Sequence, residues 1–240
     1  MRGFLTVISV CNFVIPVWAA DAMIDRTEVT IGAFEAYVLA SGAVTKAEHS
    51  GGMVFEAGWV AKPGWNWRTP YGVPASPDEP AVHVTYDEAR AYCDWRGARL
   101  PSREEWVQHA YTERRAAPPA PFVFGKTYPY PTGDAPFGAN CLQDCGNDTG
   151  NPVGKVDYGA FLMRGYGHAK AGSTISGVNG LYDMGGNVWE WATTGDGWQQ
   201  ATMGGSWWYG ATQMKADYGA TKPRDMAAVY IGFRCISDHG

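Results

Sequence analysis

Gly180-Leu181-Tyr182-Asp183-Met184-Gly185-Gly186-Asn187-Val188-Trp189-Glu190-Trp191 is the stretch that decides how the chain is read, because it packs three glycines, two indoles and two carboxylates into twelve positions. No ordinary helix or strand carries such a run. Gly185-Gly186 opens backbone conformations closed to other residues. The alternation that follows sends Val188 and Glu190 to one face and Trp189 and Trp191 to the other. Acid, amide and backbone carbonyl oxygens this close together suit a hard cation such as Ca²⁺, which takes side-chain and main-chain oxygens together. The competing reading is a tight turn anchored by buried tryptophans.

Outward from this stretch, composition narrows the possibilities. A length of 240 residues without an internal linker implies one domain. Hydrophobic residues make up 45%, enough for a core, while 31 glycines, 15 prolines and 11 tryptophans imply irregular backbone pinned by large rings and argue against a helix bundle. A net charge of -5 with no Lys/Arg cluster gives no footprint for nucleic acid or an anionic membrane surface. Arg2, the apolar run from Phe4 to Val17 and Val17-Trp18-Ala19-Ala20 read as a signal peptide over residues 1–20, leaving 21–240 as the domain. The apolar run is shorter than the ~20 residues a spanning helix needs. Its removal takes Cys11 and leaves Cys93, Cys141, Cys145 and Cys235, an even number that suits two disulfides in a periplasmic or secreted protein.

Local signals place the elements. Residues 24–30 alternate as a strand, and Thr30 is placed to cap a helix through Phe34, Tyr37 and Val38. Residues 50–80 read as a long surface loop held by Trp59, Trp65, Trp67 and Tyr71. Thr85-x-x-Glu88 and Ser102-x-x-Glu105 are capping boxes, each opening a short amphipathic helix. His83 and His109 have no named partner and read as structural. Residues 116–180 lack any helical period, Met203 to Tyr209 reads as a buried strand introduced by a glycine turn, and Val229 to Ile236 as a closing strand.

Taken in order, Arg99 to Trp106, Asn179 to Trp191, Gly204-Gly205-Ser206-Trp207 and Gly232-Phe233-Arg234-Cys235 resemble the formylglycine-generating enzyme family, also called sulfatase-modifying factors. The resemblance spans nearly all of residues 21–240. It implies an α+β, C-type-lectin-like variant fold in a single domain with little regular secondary structure. It also implies a calcium held by the Asp183 side chain, the Gly186 and Val188 carbonyls and Glu190. A second calcium site would begin at Asn140 and Cys141, although Met163 stands near the position of its later aspartate. The family's disulfide maps onto Cys93 and Cys235.

The departure is in the chemistry. Formylglycine-forming relatives oxidise a sulfatase cysteine with O₂ and a copper(I) ion held by two thiolates. Those positions here are Tyr209 and Met214. Soft thiolates select copper(I), so copper is not expected at the family site, and formylglycine formation by that route is not expected either. Two functions follow from this. The first is a non-enzymatic accessory or maturation protein of the periplasm, similar to stand-alone members encoded beside copper nitrite reductases, which makes a periplasmic copper enzyme the expected partner. The second is a divergent oxidoreductase acting on a thiol-containing or aromatic small molecule or peptide, with Ser206, Tyr209, Trp189, Trp207 and Arg234 as the residues to test. An enzyme requires these to converge in a cleft, whereas an accessory protein requires an exposed aromatic surface between Trp59 and Tyr71. Cys141 and Cys145, four residues apart, suit a local disulfide, a redox pair or a thiolate metal site completed by Met163 or His168.

Overall fold

The computed structural model describes residues 23–146, 156–163 and 165–238; the leader expected over residues 1–20 lies outside them. In chain order the elements are β1 (Met23–Ile24), α1 (Ile31–Ser41), α2 (Lys46–Ser50), β2 (Gly52–Phe55), β3 (Trp59–Lys62), α3 (Tyr86–Trp95) and α4 (Arg103–Tyr111). There follow β4 (Trp189–Ala192), β5 (Gln199–Met203), β6 (Ala220–Pro223), β7 (Ile231–Gly232) and β8 (Ile236–Ser237), with short 3₁₀ turns at Val178–Gly180 and Ala211–Met214. This is the expected α+β arrangement with much irregular backbone.

The helices begin where the sequence places caps. Thr85 Oγ1 accepts from Glu88 N at 3.3 Å while Glu88 Oε2 accepts from Thr85 N at 2.8 Å. Ser102 and Glu105 repeat the exchange at 3.1 and 2.8 Å. Thr30 caps α1 through Ala33 N at 3.2 Å. Each reciprocal pair satisfies amides that the first helical turn leaves open. A third box, Thr45 with Glu48, starts α2, which the sequence reading missed.

The main sheet runs β6-β5-β4-β7, antiparallel except for the parallel β4/β7 pair. All four residues of the central β4 are buried, because both its faces are covered. Trp191 Nε1 donates to Val84 O at 2.9 Å on one side, and Glu190 accepts from Trp106 Nε1 at 2.7 Å on the other. β1 pairs with β8, which brings the two ends of the described domain together. The Cys93–Cys235 disulfide ties α3 to the segment between β7 and β8.

Several expectations need correction. Residues 50–80 are not a plain surface loop: β2 and β3 form a hairpin, and Trp65, Trp67 and Tyr71 are buried in the core, so of the exposed aromatic surface expected between Trp59 and Tyr71 only Trp59 is exposed. Trp67 packs edge-on against Phe34 at 5.2 Å and donates to Glu48 at 3.2 Å, so its indole serves the interior. The strand expected over 203–209 lies earlier, as β5, and ends at Met203. Gly204 and Gly205 then turn at φ 86° and 78°. A Cβ on Gly204 would stand 2.5 Å from Met184 O, so tertiary contact as well as φ requires glycine there. The closing strand is broken into β7 and β8, and the first strand is confined to Met23–Ile24. No helix among the described residues is long and apolar enough to cross a membrane.

Candidate functional site

The 180–191 stretch is wound through left-handed backbone at Asp183 and Asn187, φ 58° and 50°, and is stitched to three neighbours. Gly186 N donates to Gly204 O at 2.8 Å, Asn187 N to Asn140 O at 2.7 Å, and Trp207 N to Asn187 O at 2.8 Å. The Asn187 side chain donates to Glu28 Oε1 at 2.9 Å and accepts from Ala169 N at 2.7 Å and Asn140 Nδ2 at 2.9 Å. One amide thereby joins four distant segments.

Behind the loop lies a buried charge cluster. Glu190 receives Arg234 through Nε at 2.7 Å and Nη2 at 2.6 Å. The same guanidinium donates to Asp25 O and Tyr182 O. Asp183 accepts from Gly172 N at 2.6 Å and from Thr174 Oγ1 at 2.5 Å. Glu28 is buried, and its Oε2 has no hydrogen-bond partner. Burial pushes the Glu28 carboxyl well above the usual carboxylate range, with Asp183 and Glu190 adding repulsion. Burial also raises Asp183 and Glu190, opposed at both by Arg234. Three buried carboxyl groups thus share one guanidinium.

Arg234 is therefore the counter-ion of Glu190 and fully buried, which corrects its expected place in a catalytic cleft. Ser206 is also buried, its Oγ accepting from Trp208 N at 3.3 Å. Tyr209 and Trp189 do meet, edge to face at 5.4 Å. Tyr209 lines a cavity of about 480 Å³ together with Phe55, Glu56, Trp59, Met163, Trp208 and Tyr230, and neither Ser206 nor Arg234 reaches it. Tyr209 and Tyr230 stack edge to face at 5.7 Å, with Trp208 and Trp59 at 5.9 and 6.0 Å from Tyr230. The one carboxylate in the wall, Glu56, is paired with Lys62. Three buried donors in this connected ring cluster, Trp189 Nε1, Trp207 Nε1 and Tyr230 Oη, lack acceptors. Sequence reading singled out Trp59 and Tyr209 but missed Phe55, Glu56 and Tyr230. The β2–β3 hairpin sets Phe55 and Glu56 against Tyr230, which immediately precedes β7.

Of the expected second calcium set, Asn140 is absorbed by the Asn187 network, although its Oδ1 is buried without a partner. Cys141 is disulfide-bonded to Cys145. Met163 sits in the cavity wall, exposed, and His168 is closed off by Tyr71 Oη at 2.9 Å and Glu79 Oε2 at 2.8 Å. Neither completes a site with the cysteine pair, which corrects that expectation. Among the described residues no three His, Cys, Asp or Glu side chains form a metal-holding group, so calcium at the 183–190 loop needs main-chain oxygens.

A family profile described as a sulfatase-modifying factor enzyme 1-like domain matches residues 14–239. The chain is 33% identical over 195 residues to a formylglycine-generating enzyme of Thermomonospora curvata, covering 70% of this chain and 58% of that protein. It is 31% identical over 191 residues to an inactive C-alpha-formylglycine-generating enzyme 2 of Bos taurus, covering 72% and 56%. The chain thus spans little more than half the length of these relatives. The solved structure of PvdO from Pseudomonas aeruginosa superposes with a TM-score of 0.59 at 18% identity, over 89% of this chain and 78% of that one, a likeness of fold.

Proposed function

The chain belongs to the sulfatase-modifying factor family, and from that membership we propose an exported, calcium-stabilised accessory protein that seats a ligand or partner in the Tyr209 cavity and does not generate formylglycine. The observation that carries the reading is the cavity wall. Aromatic faces dominate it, and the one carboxylate among its described lining residues, Glu56, is already paired with Lys62. Aromatic walls bind by stacking and apolar burial, whereas acyl, redox or proton-transfer chemistry needs convergent groups. A relative described as inactive shows that the scaffold also occurs without the reaction. The alternative, an oxidoreductase working through Ser206, Tyr209 and Arg234, loses support because Ser206 and Arg234 are buried away from the cavity.

Calcium would be held by Asp183 and Glu190 with the carbonyls of Gly186 and Val188. Bound there it would supply two positive charges and fix the loop. Support comes from the buried Glu28, Asp183 and Glu190 carboxyl groups, which outnumber the one guanidinium beside them. Export is supported by the leader-like sequence and by two disulfides.

A periplasmic copper nitrite reductase is the partner we infer. The test is a deletion strain complemented with wild type or with Trp59→Ala/Tyr209→Ala. Nitrite reductase activity and copper content should fall in the deletion, return with wild type and stay low with the double variant. Full activity and copper in the deletion strain would refute the partnership.

A further inference from the structure

Three sulfur atoms meet at a point that the cavity reading does not use. Cys145 Sγ lies 3.6 Å from Met214 Sδ, and Cys141 is bonded to Cys145. All three residues are buried, in a small cluster completed by Ala139, Ala211 and Tyr130. We propose that, when the disulfide is reduced, Cys141, Cys145 and Met214 form a three-sulfur site for copper(I).

The thioether is aimed by the fold. A Cβ on Gly185 would stand 2.6 Å from Met214 Cε, and one on Gly205 would stand 3.3 Å from Met214 Cγ. The Met214 side chain therefore passes between the two glycine pairs that mark the sequence, and any larger residue would displace it. Tyr111 Oη donates to Met214 O at 2.8 Å and fixes the backbone as well. The cysteine loop is held independently of its disulfide: Leu142 N donates to Tyr209 O at 2.8 Å and Gly138 N to Cys145 O at 3.1 Å. The thiols would consequently remain beside the thioether after reduction. Among the described residues no carboxylate or imidazole joins Cys141 and Cys145 in a metal-holding group, so the donors that meet here are soft sulfurs, the set that selects copper(I) over hard and borderline ions. A cavity of about 530 Å³, walled by Cys145 with Phe137, Ser173 and Ile175, gives an approach from solvent.

The chemistry balances. A dithiol reductant delivers two electrons and two protons to the Sγ–Sγ bond and leaves as its own disulfide, giving two cysteine thiols. Copper(I) then displaces both thiol protons and accepts a lone pair from Met214 Sδ, with no change in oxidation state.

The site does not depend on the Tyr209 cavity, and its test is separate. Full-length protein is reduced anaerobically with a dithiol and titrated with copper(I) against bicinchoninate. The unreduced protein should bind none. The reduced protein should bind one equivalent, with thiolate-to-copper absorption in the near ultraviolet and three sulfurs in the copper X-ray absorption spectrum. Met214→Leu, which keeps side-chain volume and both cysteines, should lose affinity and one sulfur from the spectrum. Cys141→Ser/Cys145→Ser should bind none while keeping Cys93–Cys235. The proposal is overturned if reduced wild type takes up no copper(I), if Met214→Leu matches wild type in affinity and spectrum, or if the serine double variant still binds.

Discussion

At the scale of single residues, the account turns on Arg234 and the three carboxylates around it. Removing one partner of a buried ion pair leaves the other charge uncompensated, so Arg234→Met should cost about 3–5 kcal/mol, read from urea unfolding. Glu28 gives a sharper test. Its folded pKa is raised by burial above its unfolded value, so the stability it contributes is complete below about pH 4 and is lost as pH rises through the folded value. In chelator, the Tm of Glu28→Gln should therefore gain on wild type as pH rises above the ordinary carboxylate range, and calcium should abolish the gain. His83 slopes the other way: burial lowers it to about 4, so its contribution is lost as pH falls from about 6.5. Comparing variant with wild type cancels that opposing term. Glu190 and Arg234 were both visible in the sequence as motif members. Their pairing was not, because it joins residues 44 positions apart across a strand pair.

Among the described elements, the three longer α-helices were legible while the one-turn α2 and most strands were not, for a physical reason. A capping box is complete within four residues, so Thr85-Glu88 and Ser102-Glu105 could be read directly and their helices begin where expected. Ser102→Ala should cost about 1 kcal/mol by denaturant unfolding, with α4 amides near residue 105 exchanging faster. Strand limits depend on partners elsewhere. β5 stops at Met203 because the chain must turn against Met184 at Gly204, a contact that the apolar run from 203 to 209 does not disclose. The β2–β3 hairpin was hidden for a related reason, since a stretch rich in glycine and tryptophan reads as loop until the register Gly52↔Lys62 is seen.

For the whole molecule, the long disulfide and the sheet together hold the scaffold. Cys93–Cys235 spans a sequence separation of 142, and the chain-entropy model makes such a staple worth roughly 4–5 kcal/mol. Cys93→Ala/Cys235→Ala should lower stability by about that amount without moving the aromatic cavity, checked by unfolding and by ligand-independent tryptophan fluorescence. The family was legible because its motifs are local runs. The function was less so, because the cavity draws on β2, β3 and segments more than a hundred residues later, and its wall is decided by which side chains the fold brings there. The central proposal is that the scaffold persists without the formylglycine-forming reaction, Tyr209 and Met214 standing where the resemblance places the copper thiolates. The most direct test is to supply copper(I) and O₂ to disulfide-intact protein together with a cysteine-containing sulfatase peptide, and to follow oxygen uptake and peptide mass. The account predicts no uptake above the protein-free control and an unchanged peptide; catalytic conversion of the cysteine to an aldehyde would contradict it.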